Sequence, residues 1–433
     1  MSKKNKSREL IHKGLNMHLN GISLKIIFKT YDNFYVDYNF SKLDKAFVRY
    51  ITLEAICNRG IIEIVLKRFL NKPLPKKMTS VKAGLMLGVA QILYSNVKPH
   101  AAVNTTVDVF KKEIFKWRGL ANAVLRKILI NKDEFLKLKT KKILNIPVWF
   151  LNKWIAQYGK SNTNKIIECF NKGIAIDIKF KKNKINKYSF KGKQLENNTI
   201  RISNQGAVRL LEGYEYGDWW VQDISAQLPV LCLGNVKNKR VIELCAAPGG
   251  KTCQLLELGA NVLAIDKSHK RLEILNSNVI RINLKTNLEL LCRDVLNWSP
   301  KKKSDLILLD VPCTSTGTIR KNPDIIWHKN KIELRKITKI QKLLLKKAIN
   351  MLADNGILVY SNCSMEKEEG ELIIHEIIKE EPVEIDNIKK QEINGFSDEI
   401  FVNGMIRTLP YMYKEFGGID GFFIARLKKI SHN

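Results

Sequence analysis

The chain has 433 residues, of which 74 are lysine or arginine and 42 aspartate or glutamate, for a formal net charge of +32. Its length exceeds what one hydrophobic core serves, and no apolar run approaches the ~18 residues of a membrane span. The positive excess suits a phosphate-rich partner, and the basic start MSKKNKSRELIHKGLNMHLN lacks the apolar stretch of a secretory signal, so the expectation is a cytoplasmic protein that binds nucleic acid.

From Ile22 to Asn131 the pattern is helical throughout. Ser41 followed by Asp44 predicts a capped helix start, Leu43, Phe47, Tyr50 and Glu54 a stripe with Ala46 and Ile51 beside it, and Asn58-Arg59-Gly60 a stop. IIEIVLKRFL follows, ended by Pro73 and Pro75; then come VKAGLMLGVAQILYS, a break at Pro99, HAAVNTTVDVFKKE and GLANAVLRKILI. Such helices suit a small bundle, with His100 as a helix-start residue. The Lys-rich stretch 133–145 reads as a linker or exposed helix, and Trp149, Trp154 and Tyr158 at helical spacing read as core. Residues 179–198 are polar and basic, a loop or a strand pair touching phosphates.

After Trp219-Trp220 the grammar changes. RVIELCA, NVLAIDKS, LELLCRD, DLILLD and GILVYSNCS read as strands with helices between, the mark of a parallel α/β sheet, and IRTLP and DGFFIARL as further strands. The expected fold is a doubly wound, Rossmann-like domain over 221–433, preceded by an all-α bundle over 1–138 and a small α+β connector over 139–220.

VIELCAAPGGKT, from Val241 to Thr252, reads as a strand, a glycine turn and a helix start. It is neither the G-x-G-x-x-G of dinucleotide enzymes nor a Walker loop. Asp266, Asp294 and Asp310 end the next three strands, on the side where such sheets bind ligands, and suit a nucleoside cofactor: the first at ribose hydroxyls, the second at a base edge, the third beside the reacting group. The eight cysteines include no C-x-x-C pair, so no zinc site is signalled, and Cys57, Cys169, Cys232 and Cys292 read as small hydrophobes. Cys313 in DVPCTSTG and Cys363 in YSNCS differ, because they follow the fourth and fifth strands at the cofactor's mouth. Carbon 5 of a pyrimidine attacks a sulfonium methyl only after a thiolate adds at carbon 6, and a second thiol can assist the later release. Should Cys363 sit at the start of the following helix, the dipole would favour its thiolate. Which thiol attacks stays open on these grounds.

ELCAAPGGKT, AIDKS, CRDV, DVPCTSTGTIRKNPDIIW, YSNCSMEKEEG and DGFFIARL together resemble the RNA cytosine-C5 methyltransferases of the Sun class. KPHAAVNTTVDV with LANAVLRKIL resembles a NusB-like RNA-binding domain, as at the front of the 16S rRNA enzymes of the Sun (Fmu) type. The resemblance implies S-adenosyl-L-methionine as cofactor, held by Cys245, Ala246, Ala247, Pro248, Gly249, Gly250, Lys251, Asp266, Asp294 and Asp310. It implies Cys363 as nucleophile, Cys313 in product release, and no metal. The implied substrate is carbon 5 of a specific cytosine, of the cytosine-967 type, in 16S rRNA, naked or in an early-assembly small subunit, and the implied enzyme is a monomer. Lys251, Arg320 and Lys321 are candidates for contacting the target base or its phosphates. The chain departs from the pattern at Val311, where alanine is usual, and at Asn362, where threonine precedes the second cysteine; AIDIKFKKN stands in place of a proline-led strand. Two alternatives are an RNA-binding module with an inactive methyltransferase domain and an N-methyltransferase on the same fold, a class that favours an aromatic residue where Cys313 stands.

Overall fold

The computed structural model describes residues 3–170, 175–203, 208–393 and 395–431, which form two compact units. One runs through Phe170 and takes in Asn322–His328; the other holds the rest.

The first unit is helical: α1 (Lys3–Leu19), α2 (Leu24–Asp37), α3 (Lys42–Cys57), α4 (Arg59–Phe69), α5 (Thr79–Tyr94), α6 (Pro99–Val107), α7 (Arg118–Ile130), α8 (Lys132–Leu136) and α9 (Val148–Glu168). Helix α5 is buried without a break from Ala83 to Tyr94, as an all-round apolar helix must be, and α1, α3, α4, α6, α7 and α8 pack against it. Ser41 accepts a hydrogen bond from the Asp44 backbone N–H (3.1 Å), which starts α3 where the sequence places it. The face α3 buries is different from the expected one. Val48, Ile51, Thr52 and Ala55 point inward, while Leu43 is 82% exposed and Tyr50 49%. Two stripes share the helical period, and the inward one is built of smaller residues that let α3 approach α1 and α5. The Lys-rich stretch folds as α8 and two 3₁₀ turns, and Trp154 lies fully in the core. Within this unit Asn322–His328 is held by the Leu24 N–H donating to Asp324 (2.8 Å) and by the Arg59 guanidinium 4.5 Å from the Trp327 ring.

The second unit contains two sheets. In the first, antiparallel, β1 (Ala175–Phe180), β2 (Gly192–Leu195), β3 (Thr199–Ser203) and β4 (Trp219–Val221) lie in the order β2-β3-β1-β4. The 139–220 span is thus divided, with α9 in the helical unit and these strands in the other. The basic 179–198 stretch runs from the end of β1 through a 3₁₀ turn to β2. After α10 (Ile224–Leu231) comes the nine-stranded sheet: β5 (Arg240–Leu244), β6 (Asn261–Asp266), β7 (Leu288–Cys292), β8 (Ser304–Asp310), β9 (Leu352–Asn362), β10 (Val383–Ile385), β11 (Phe401–Val402), β12 (Met405–Thr408) and β13 (Phe422–Lys429). Strands β7-β6-β5-β8-β9 are parallel, and β13 runs antiparallel beside β9. Helices α11 (Gly250–Glu257), α12 (His269–Arg281), α13 (Lys331–Met351) and α14 (Glu371–Glu380) make the crossovers. The expected doubly wound fold is therefore present, with its order reversing between β5 and β8. Among the described residues no helix is long and apolar enough to cross a membrane, and no side-chain group is fit to hold a metal.

Three buried aspartates and three cations join β1, β3 and α10 to the chain beyond Cys313. Arg201 grips Asp177 with both nitrogens (2.6 and 2.7 Å), and Asp177 also accepts the Ile224 N–H (3.0 Å). Arg320 reaches Asp223 and Asp420 (3.4 and 3.3 Å), and Lys321 pairs with the same two. Burial opposes the Asp223 charge, but Lys321, Arg320 and Arg201 outweigh it and hold this carboxyl well below its ordinary range. Removing one partner leaves a buried charge unpaired, at a cost of about 3–5 kcal/mol. Arg201→Ala is therefore expected to lower the denaturant midpoint by that much stability, while the exposed Arg49→Ala, which breaks a surface pair with Asp32, changes it by less than about 1 kcal/mol.

Candidate active site

The carboxyl ends of the parallel strands bring the sequence candidates to one edge. β5 is followed by Cys245, whose left-handed backbone (φ 61°) turns the chain sharply out of the sheet, and Gly249 (φ 100°) caps the start of α11. The first N–H groups of α11, on Gly250 and Lys251, therefore face the strand ends without intrahelical acceptors. Asp266 at the end of β6 is buried, accepting the Ala247 and Ser268 N–H groups (3.2 and 3.0 Å) and pairing with Arg271 (3.1 Å). Arg271 also donates to the Ala247 carbonyl, so this pair stitches α12 to the Cys245–Lys251 loop. Asp294 is exposed, and one of its oxygens caps the next 3₁₀ turn through the Leu296 N–H (3.0 Å).

Asp310 ends β8 opposite Ser361 of β9. Its carboxylate takes Lys251 Nζ at 2.7 Å and the Ser361 hydroxyl at 2.8 Å. Just beyond, the two loops turn toward each other: Cys313 Sγ and Cys363 Sγ are 3.4 Å apart, both partly exposed, with Ser315 Oγ 3.6 Å from the first. The Gly317 N–H donates to the Cys363 carbonyl (3.0 Å) and the Gly317 carbonyl accepts the Gly421 N–H (2.8 Å). A Cβ on Gly317 would stand 1.9 Å from the Gly421 carbonyl oxygen, so only glycine fits there.

The two sulfurs share one hydrogen bond, and this divides them. It pushes Cys313 well up, with burial and the Glu369 charge adding to the rise. It draws Cys363 down, against the effect of burial, with Ser315 and Lys251 assisting. Ionisation is thereby favoured at Cys363 over Cys313. The cause differs from the helix dipole considered from sequence: α14 starts at Glu371, after a separate 3₁₀ turn (Lys367–Glu369), so Cys363 is not at its N-terminus.

Arg320 and Lys321 do not present free cations at this edge. Both are held in the buried ion pairs with Asp223 and Asp420, because a charge taken from water requires opposite charge, and these aspartates, 97 or more residues away in sequence, provide it. Cys292 is partly exposed, whereas Cys57, Cys169 and Cys232 are buried. Sequence reasoning missed Arg271, Gln341, Glu369 and Arg407, whose side chains hold the loops. Glu369 lies in the quoted motif YSNCSMEKEEG, within an acidic run that otherwise has the look of a solvated helix face.

Comparison with known proteins agrees in two separate regions. A family model described as 16S rRNA methyltransferase RsmB/F matches residues 230–428, and one described as the NusB family matches 5–129. The chain is similar to ribosomal RNA small subunit methyltransferase B of Pasteurella multocida, at 30% identity over 85% of this chain and 84% of that one. It is also similar to the protein of that name from Proteus mirabilis, at 32% identity over 77% and 82%. Among solved structures, PH0851 shares the fold with a TM-score of 0.75 at 21% identity, covering 99% of each chain.

Behind the loop, on β5, Glu243 is buried; Oε2 accepts the Thr252 hydroxyl (2.6 Å) and Oε1 has no partner. Burial pushes this carboxyl up to about 8, against the effect of Thr252. A carboxyl that binds its proton more tightly folded than unfolded contributes most at low pH, and that contribution is lost as pH rises toward 8. The melting temperature of Glu243→Gln relative to wild type is therefore expected to shift in the variant's favour between pH 5 and pH 9. A difference that stays constant across that range would contradict the assignment.

Proposed function

This chain belongs to the RsmB/F family of 16S rRNA methyltransferases, and from that membership we propose that it methylates carbon 5 of a cytosine in small-subunit rRNA through an adduct on Cys363. The observation that carries this reading is the pair of sulfurs at 3.4 Å beside Asp310 and Lys251. A site for N-methylation has no use for two such thiols.

The residues present fit S-adenosyl-L-methionine, which when bound supplies an electrophilic methyl group. Asp266 is assigned to the ribose hydroxyls and Asp294 to the adenine edge. The α11 N-terminus, the Cys245–Lys251 loop and Asp310 are assigned to the rest of the donor. Glu243, with an unpartnered buried oxygen under the same loop, adds a polar wall.

The Cys363 thiolate adds to carbon 6 of the cytosine, and the electron pair of the 5,6 double bond moves to carbon 5, which would then take the donor's methyl group, the methyl–sulfur bond breaking to leave a neutral thioether. Loss of the carbon 5 proton to a base returns that C–H pair to the ring, and the Sγ–C6 bond breaks. Cys313, the protonated neighbour, assists release. Lys251, oriented by Asp310, is the cation assigned to the target base. Carbon 6 is reachable only from above the ring, so the cytosine must be splayed out of its stack, and single-stranded or loop RNA before assembly is the expected substrate. The helical unit, matched to the NusB family, is assigned to RNA binding, and the enzyme is assigned a monomeric state.

With methyl-labelled donor and naked 16S rRNA, wild type is expected to label cytosine carbon 5. Cys363→Ala is expected to lose activity by about three orders of magnitude or more, and Cys313→Ala to accumulate an RNA–protein adduct. Methylation by Cys363→Ala would overturn the nucleophile, and a wild type that binds RNA without labelling it would favour a binding module.

A further inference from the structure

Each thiol is followed directly by a hydroxyl residue, Thr314 after Cys313 and Ser364 after Cys363. Both hydroxyls meet one fully buried carboxylate, Glu369. Its Oε1 accepts the Thr314 backbone N–H (2.8 Å) and the Gln341 side-chain amide (2.9 Å). Its Oε2 accepts the hydroxyls of Thr314 and Ser364, which lie 3.0 Å from each other. Four donors on two oxygens use the whole accepting capacity of an ionised carboxylate. The backbone carbonyl of the same residue accepts the Tyr360 hydroxyl (2.8 Å) and the Asn362 amide (2.6 Å), so residue 369 binds the Cys363 loop on both sides of the cysteine. Asn362, a departure from the family pattern, thus serves as a strut, its Oδ1 accepting the Ser364 N–H (3.0 Å).

We propose that Glu369 is the positioning residue of the two-thiol site: its carboxylate clamps the Cys313 and Cys363 loops to each other and keeps the shared proton on Cys313. The proposal rests on the reading that both thiols take part in the reaction. Geometry gives the clamp: Glu369 is an acceptor common to both loops, beside their direct contacts through the Gly317 N–H on the Cys363 carbonyl, the Met365 N–H on Thr316, and the Ser364 hydroxyl against those of Thr314 (3.0 Å) and Thr316 (3.3 Å). Charge gives the bias. The Glu369 carboxylate is among the charges that raise Cys313, and Asp310 and Lys251 are among those that act on Cys363. Two other charged groups lie by the Cys363 loop: Arg407 donates to the Ser364 carbonyl (2.5 Å) and is paired with Glu371 (2.6 Å), and the fully buried Glu366 donates its N–H to the Ser364 hydroxyl (3.0 Å). The carboxylate takes the backbone N–H of the residue after Cys313, whereas the Ser364 N–H goes to Asn362, and a nearby negative charge disfavours a thiolate; this biases the choice of attacking sulfur before any substrate arrives.

The test uses iodoacetamide at limiting concentration on the full chain, with no RNA or methyl donor, over a series of pH values. Alkylation is quantified at each cysteine by mass spectrometry. Wild type is expected to react chiefly at Cys363. Glu369→Gln is nearly isosteric, and the two hydroxyls can rotate to accept from its amide, so the fold is expected to persist, with buried Cys57, Cys232 and Cys253 unreactive. In that variant the preference for Cys363 over Cys313 is expected to fall by about tenfold, the equivalent of one pKa unit, as alkylation of Cys313 sets in at lower pH than in wild type. A preference unchanged in Glu369→Gln overturns the proposal. If the buried cysteines become reactive, Ser364→Ala takes over the test: it removes one of the two loop contacts and leaves the carboxylate, and a smaller shift in the same direction is expected, with no shift overturning the clamp. Because no methyl transfer is read, failure here is distinguishable from failure of the cytosine reading, which rests on labelled rRNA.

Discussion

The site depends on the register of one parallel strand pair. Asp310 on β8 stands opposite Ser361 on β9, and neighbouring strands are only about 4.8 Å apart, so two chains leaving this edge within three residues of that pair must meet. Cys313 and Cys363, 50 residues apart in sequence, come together for that reason. A shift of one residue would turn every side chain of β9 to the opposite face and dissolve the pairing of Asp310 with the Ser361 hydroxyl. The glycine at 317 then lets the loops close, and Glu369 locks them from behind.

Charge is distributed in two ways that serve different ends. The net charge of +32 belongs to the surface, where helix α13 alone exposes Lys331, Arg335, Lys336 and Lys339, and it suits long-range attraction of a polyanion. Near the thiol loops the cations are paired one by one: Lys251 with Asp310, Arg407 with Glu371, Arg320 and Lys321 with Asp223 and Asp420. Fixed, paired charges reorganise little when a base enters, which favours discrimination at the ring over grip on the backbone.

Much of this was legible in the sequence because it follows from local rules. Alternating strands and helices, the glycine turn after β5, Asp266 and Asp310 at the ends of β6 and β8, and cysteines after β8 and β9 all carry short-range signals and lie where expected, whereas Asp294 falls two residues beyond β7 and caps a 3₁₀ turn. The buried face of α3 was not legible, since Leu43 and Tyr50 share a helical period with Val48 and Ile51 and only packing chooses between the stripes. Arg320 and Lys321 look like phosphate ligands until Asp223 and Asp420 are brought to them by the fold. Glu369 sits in an acidic run and becomes a buried clamp only through Thr314, Gln341 and Ser364, contacts that no local pattern encodes. The order of the two thiols likewise came from resemblance.

The central claim is that Cys363 forms the bond to carbon 6. The most direct measurement uses an rRNA fragment with 5-fluorocytosine at the target: fluorine in place of the carbon 5 proton prevents release after methyl transfer, so the adduct persists and can be digested and sequenced by mass spectrometry. The account predicts a donor-dependent adduct on the peptide containing Cys363. An adduct on Cys313, or methylated product with no adduct at either sulfur, would contradict it.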